Sequence, residues 1–155
     1  LNALQGCTEK LDVRRGRVTI LTPHDGEFAR LTGKTLREIA SSERSGLASR
    51  FACEHGCILA LKGHRTLVAL PDGQMLVNTS GCSALSKGGS GDVLTGLIAS
   101  LLCQGAGAAQ AAALGVWLHG RAGELLARKM SAYCASPQEL LTQGLSLAFL
   151  ELLET

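Results

Sequence analysis

Leu85–Gly96 reads LSKGGSGDVLTG, and the rest of the chain is best understood outward from it. Gly88, Gly89 and Gly91 surround Ser90, and Asp92 is the single acid of the stretch. An apolar run with helical spacing follows: Val93, Leu94, Leu97, Ile98, Leu101 and Leu102 share a stripe, and Gly105 is its stop. The spacing predicts a turn opening a helix over 91–104, with Ser90 as N-cap. The glycines let the backbone approach a ligand closely. The first amides of a helix are unpaired and face one point, which suits an anion. The same residues equally suit a tight turn before a well-capped helix, where Asp92 gains about 0.3–1 kcal/mol from the helix dipole. The stretch is neither a Walker A loop nor a G-x-G-x-x-G turn, because no G-K-[ST] closes it and Lys87 precedes the glycines.

Upstream, apolar runs alternate with helical patterns. Residues 4–16 are polar and basic and read as a helix end and a loop. VTILTP (18–23) is β-rich and stopped by Pro23, so it predicts a strand. HDGEFARLTG (24–33) predicts a short helix closed by Gly33, and Thr35 caps a further turn. Residues 43–56 predict a helix ending at Gly56, and CILALKG (57–63) a buried strand. TLVALPDGQMLVN (66–78) is two strands around Pro71-Asp72-Gly73, a hairpin signal. Downstream, residues 108–130 place Ala111, Leu114, Leu118, Ala122 and Leu125 on one face. Ser136-Pro137 opens a last helical region. Strands mixed with helices, then helices alone, predict an α/β layered fold. The strand count is small for a complete sheet.

The 155 residues suit one domain or a large piece of one, and 46% hydrophobic with 18% charged residues suits a folded chain. Nineteen glycines against three Phe, one Trp and one Tyr leave Ala and Leu to fill the core. A formal charge of +2 without a dense basic run argues against nucleic acid as a partner. No apolar run reaches membrane-spanning length. The opening LNALQGC has no basic region before an apolar core, and it lacks a starting Met. It reads as a processed chain or a fragment of a longer product. Cys7, Cys53, Cys57, Cys82, Cys103 and Cys134 form no C-x-x-C pair, so free thiols in a reducing cytoplasm are expected.

Two further stretches follow predicted strands, where ligands gather in open α/β sheets. KGHRT (62–66) offers Lys62 and Thr66 to a phosphate or base, or is a plain loop with solvated cations. TPHDGE (22–27) projects His24 and Glu27 into the same crevice. His55 and His119 read as packed side chains. Together with the glycine-rich turn, these loops converge on one sheet edge and suggest phosphoryl transfer, with Asp92 taking the proton of an attacking hydroxyl.

TPHDGEFARLTG, LKGHRTLVA, NTSG, LSKGGSGDVLTGLIASLLCQG and LHGRAG, in that order, resemble the C-terminal part of the NAD(P)H-hydrate dehydratase family. That family is itself similar to ribokinase-type sugar and vitamin kinases. The resemblance covers essentially residues 1–155 and implies a three-layer αβα, ribokinase-like fold, here an incomplete C-terminal portion. It implies ADP-dependent (or ATP-dependent) dehydration of hydrated NADH or NADPH with Mg²⁺, through a phosphorylated hydrate.

By matching motif, His24 touches the hydrate, and Lys62, Gly63, His64, Arg65 and Thr66 form the nucleotide loop. Gly88, Gly89, Ser90 and Gly91 form the anion hole, with Gly91 also near the nucleotide. Asp92 contacts the hydrate and acts as base. No direct metal ligand is implied; Glu27 acts on magnesium through water. A homo-oligomer is also implied. Asp25 stands where the family usually has Pro, and Cys82-Ser83 where it usually has Asn-Pro. The alternatives are a ribokinase-like kinase of a vitamin precursor and a non-catalytic nucleotide-binding fragment.

Overall fold

The computed structural model describes residues 1–40 and 43–154. The chain divides into two compact units, Leu1–Val77 and Asn78–Thr155. The first holds a mixed four-stranded sheet in the order β1-β2-β3-β4, with strands at Ile20–Leu21 (β1), Ile58–Leu61 (β2), Leu67–Ala69 (β3) and Met75–Val77 (β4). β1 runs parallel to β2, with Ile20 opposite Ile58. β2–β3 and β3–β4 are antiparallel, with Leu61 opposite Leu67 and Ala69 opposite Met75. The strand expected over 18–23 shortens to Ile20–Leu21, because only these residues pair in register with β2. The hairpin forms as expected. Asp72 Oδ1 accepts from the Gln74 amide at 2.9 Å and braces the turn.

Three helices join this sheet: α1 (Asp25–Thr32), α2 (Leu36–Ile39) and α3 (Arg44–His55). Gly33 and Gly56 close α1 and α3 where the sequence places stops. Thr35 and Glu38 form a reciprocal capping box at α2. α1, α2 and α3 bury apolar residues with β2: Phe28, Ile39, Leu59 and Leu61 are inaccessible, and Phe28 meets Phe51 edge-on at 5.3 Å between centroids. Where a helix end and a loop were expected over 4–16, two 3₁₀ segments form instead, Asn2–Leu4 and Thr8–Arg14. Leu11 of the second is buried in the same core, and Asp12 Oδ1 lies 3.2 Å from His55 Nδ1.

The second unit is helical, with α4 (Ser90–Cys103), α5 (Ala108–Lys129), α6 (Pro137–Glu139) and α7 (Leu145–Leu153), a π-helical turn at Leu140–Gly144 joining the last two. α5 packs against both α4 and α7. Leu94, Leu97, Ile98 and Leu101 are buried on α4, as the stripe predicts. α5 buries Ala111, Leu118 and Ala122 as expected but departs from expectation elsewhere. Leu114 and Leu125 are only half-buried, and the covered residues also include Ala112, Gly115, Val116, His119, Gly120, Gly123 and Leu126. A Cβ on Gly115 would sit 2.6 Å from Ile98 Cγ1, so the small residue sets how closely α5 approaches α4. Ser136 caps α6 with Glu139 in return and Pro137 at the first helical position, as expected. A mixed sheet with helices makes this an α/β chain.

Candidate functional site

In the first unit the parallel strands β1 and β2 end on the same edge, and TPHDGE and KGHRT follow them. They meet there. His24 and Lys62 form a parallel bridge, and the Lys62 amide donates to Pro23 O at 2.8 Å. His24 is the N-cap of α1. Its Nδ1 accepts from the Gly26 and Glu27 amides at 3.0 and 3.2 Å, and Glu27 Oε2 accepts from the His24 amide at 2.8 Å. With Nδ1 occupied as an acceptor, the neutral ring carries its proton on Nε2. The side chain is 55% exposed, so this donor is open to a ligand.

Glu27 Oε2 also lies 3.8 Å from Lys62 Nζ and 3.6 Å from His24 Nε2. Burial pushes the Glu27 carboxyl up, but the His24 amide and the Lys62 ammonium outweigh it and hold it below its ordinary range. A carboxyl depressed in the folded state stabilises it fully above the ordinary value of 4.5, and that contribution is lost as pH falls through the folded value. Glu27→Gln should therefore flatten part of the stability loss below that pH. Urea unfolding at stepped pH checks this, and a slope parallel to wild type would contradict it.

Beyond Lys62 the loop is exposed at Gly63, His64 and Arg65. The Thr66 hydroxyl donates to Gly63 O at 3.2 Å and so folds the loop back on itself. Arg65 has φ 58°, alone among the described non-glycine residues in the left-handed region, which costs about 1–2 kcal/mol. Such strain clusters where a loop is shaped for a ligand.

The second unit carries the glycine-rich turn. Its cap corrects the expectation. Gly89, at φ 89°, is the N-cap of α4, and Ser90 is the first helical residue. A Cβ at Gly89 would meet Pro137 Cγ at 3.2 Å besides being strained. Ser90 faces inward and is buried. Its hydroxyl lies 3.1 Å from His119 Nε2, which also donates to Ser90 O at 2.9 Å. The Ser90 amide is spent on Lys87 O at 3.2 Å, and the Asp92 amide on Gly89 O at 3.1 Å. Among the described residues, the amides of Gly88, Gly89 and Gly91 take no backbone acceptor. Asp92 is exposed in the first turn of α4. Lys87 points elsewhere: its ammonium donates to Tyr133 O at 2.7 Å and to Ala135 O, clamping the 133–135 segment.

The structure thus brings His24, Glu27, Lys62, Gly63 and Thr66 together in one unit, and Gly88–Asp92 with His119 in the other. Two groups escaped the sequence reading. His119 reads only as a packed residue, although it holds the first residue of α4. Arg44 is all but unmarked in the sequence. Its one signal is a cation at the start of α3, against the helix dipole. Among the described residues no group of three His, Cys, Asp or Glu side chains could hold a metal by itself. A magnesium ion carried on nucleotide phosphates needs less, since it keeps waters and takes one or two carboxylates. No described helix is long and apolar enough to cross a membrane.

The family model described as NAD(P)H-hydrate dehydratase matches residues 2–144. The ADP-dependent (S)-NAD(P)H-hydrate dehydratase of Neisseria meningitidis is 43% identical over 127 residues, covering 81% of this chain and 43% of that protein. The ADP/ATP-dependent NAD(P)H-hydrate dehydratase of Bacillus subtilis, co-crystallised with ATP/Mg²⁺, superposes with a TM-score of 0.81 at 35% identity, over 89% of this chain and 52% of that one. A ribokinase-like superfamily protein of Enterococcus faecalis gives a TM-score of 0.71 at 28% identity, over 84% and 43%. The α/β fold is accordingly ribokinase-like. The chain spans less than half the length of the curated relatives it matches.

Proposed function

This chain belongs to the NAD(P)H-hydrate dehydratase family, and from that premise we propose that it serves the ADP-dependent dehydration of hydrated NADH or NADPH. The observation that carries the reading is the turn at Gly88–Asp92, with unspent glycine amides and an exposed carboxylate one residue further on. In this reading the amides of Gly88, Gly89 and Gly91 hold phosphate oxygens where negative charge develops. Asp92 takes the proton of the hydrate's hydroxyl as that oxygen attacks the terminal phosphorus of ADP, and AMP departs. The C–O bond of the phosphorylated hydrate then breaks. A proton leaves the neighbouring carbon, phosphate departs and the double bond of the reduced nicotinamide returns. Asp92 is a weak base in water, so its contribution comes from position.

Ser90 does not donate its amide to the phosphate in this scheme; it anchors the turn from behind through His119. Lys62, Gly63, His64, Arg65 and Thr66 hold the nucleotide. His24 offers its Nε2 proton to the hydrate. Magnesium would neutralise phosphate charge, and Glu27 would meet it through water, its carboxylate being already shared with the His24 amide and Lys62. ATP is an alternative phosphoryl donor. The free state of all six cysteines supports a reducing compartment, the cytoplasm, and the family resemblance supports a homo-oligomer.

The test incubates the protein with hydrated NADH, ADP and Mg²⁺ and follows NADH absorbance. Recovery of absorbance with AMP release is expected. A phosphorylated vitamin precursor in parallel assays, without NADH recovery, would establish the kinase alternative instead. ADP binding by calorimetry without turnover would mark a binding module. Within the nucleotide loop, Lys62→Ala should weaken ADP binding about tenfold, the scale of one charge-assisted contact. Unchanged affinity would return KGHRT to a plain loop.

A further inference from the structure

We infer that Arg44 is a positioning residue that sets the nucleotide loop, acting through Asp25 and the backbone at the end of β2. The inference rests on the reading of Lys62–Thr66 as that loop. Arg44 is the first residue of α3, and its side chain is only 17% exposed. Its Nε donates to Asp25 Oδ1 at 3.1 Å, and Nη2 pairs with the same oxygen at 3.0 Å. Nη2 also donates to Leu61 O at 3.2 Å and to Lys62 O at 3.0 Å. One guanidinium thereby ties the first residue of α1, next to His24, to the last residue of β2 and the first of the loop. A Cβ on Gly63 would come within 2.8 Å of Nη2, so residue 63 has no room for a side chain unless Arg44 moves.

Peptide planarity gives this arrangement its consequence. In a trans peptide the carbonyl and the following N–H point in opposite directions. With Lys62 O held by Arg44, the Gly63 N–H must face away from Arg44, toward the loop, where Thr66 Oγ1 lies 3.4 Å from it. Arg44 therefore orients the Gly63 amide of KGHRT and, through Asp25, fixes that loop relative to His24 and Glu27. A cation at this position opposes the dipole of α3. Its fork of donors, which a lysine lacks, matches the three acceptors it spans.

The test compares wild type, Arg44→Lys, Arg44→Gln and Asp25→Asn, each first checked for a cooperative melting curve. Asp25→Asn retains an acceptor at residue 25, so it keeps the question open to measurement if the Arg44 variants fail to fold. Amide hydrogen exchange at Gly63–Thr66 is read beside ADP affinity and turnover at saturating ADP. Both Arg44 variants are expected to exchange the loop amides faster and to bind ADP about tenfold more weakly, the loss of one charge-assisted bond. Turnover at saturating ADP should stay within about twofold, since binding rather than chemistry is affected. Asp25→Asn should show the same pattern, smaller. Unchanged loop exchange overturns the inference. Faster exchange with unchanged ADP affinity overturns it too, because the tie would then serve folding alone. Wild-type protein that fails to bind ADP overturns the nucleotide reading itself, a result distinct from both.

Discussion

Replacing Asp92 with asparagine is expected to lower turnover by about 10²–10⁴-fold, the usual contribution of a positioned general base. ADP affinity should hold or tighten slightly. The amide side chain matches the carboxylate in shape, and removing a negative charge beside bound phosphate does not weaken phosphate binding. Magnitudes separate this role from the bland one. A helix-dipole partner is worth about 0.3–1 kcal/mol of stability. A rate loss of that size corresponds to about 3–5 kcal/mol of barrier. Asp92 is exposed, so asparagine should cost little in folding, and a change in turnover cannot be laid to a lost core. Steady-state turnover beside ADP calorimetry checks the point. Turnover within a few-fold of wild type would sink the base assignment and leave Asp92 as a dipole partner.

Where local chemistry decides structure, the sequence was legible. The Thr35 and Ser136 caps, the Gly33 and Gly56 stops and the Pro71-Asp72-Gly73 hairpin are local bargains between a side chain and nearby backbone, and all form. The pairing of TPHDGE with KGHRT was legible too, because both follow strands. Where distant residues compete, the reading failed. Ser90 has the chemistry of an N-cap, yet His119 draws its hydroxyl inward, and Gly89 takes the cap by its left-handed backbone. On α5 the pattern marks Ala111, Leu118 and Ala122 rightly but also Leu114 and Leu125, which are half-buried, and it passes over Gly115, Gly120 and Gly123, which carry no side chain to register. Arg44 finds its acceptors 17 to 19 residues away, a separation no local rule reaches.

The small-residue face of α5 carries the largest expected loss of stability. Gly120→Ala would place a Cβ 2.2 Å from Ser80 Oγ, 2.8 Å from Ser80 C and 2.9 Å from Ser80 O. A flexible side chain could turn away, but two of these atoms are backbone. That backbone has little freedom to yield. Asn78 Nδ2 donates to Ser80 O at 2.9 Å, Ser80 Oγ donates to Trp117 O at 2.9 Å, and the Gly81 amide donates to Glu124 Oε1 at 2.7 Å. Glu124 is in turn held by Arg121 at 2.6 Å, and Arg121 by Glu151 at 2.7 Å. Relieving the clash means breaking part of this chain of bonds or pushing NTSG off α5. Overpacking against a segment so held should cost about 3 kcal/mol. For a chain of this size that lowers the melting temperature by about 6–12 °C. Thermal and urea unfolding of the variant give the number directly. A loss under about 1 kcal/mol would mean that residues 78–81 shift freely. In that case the closeness of NTSG to α5 would be a consequence of the neighbouring hydrogen bonds and not a requirement for the glycine.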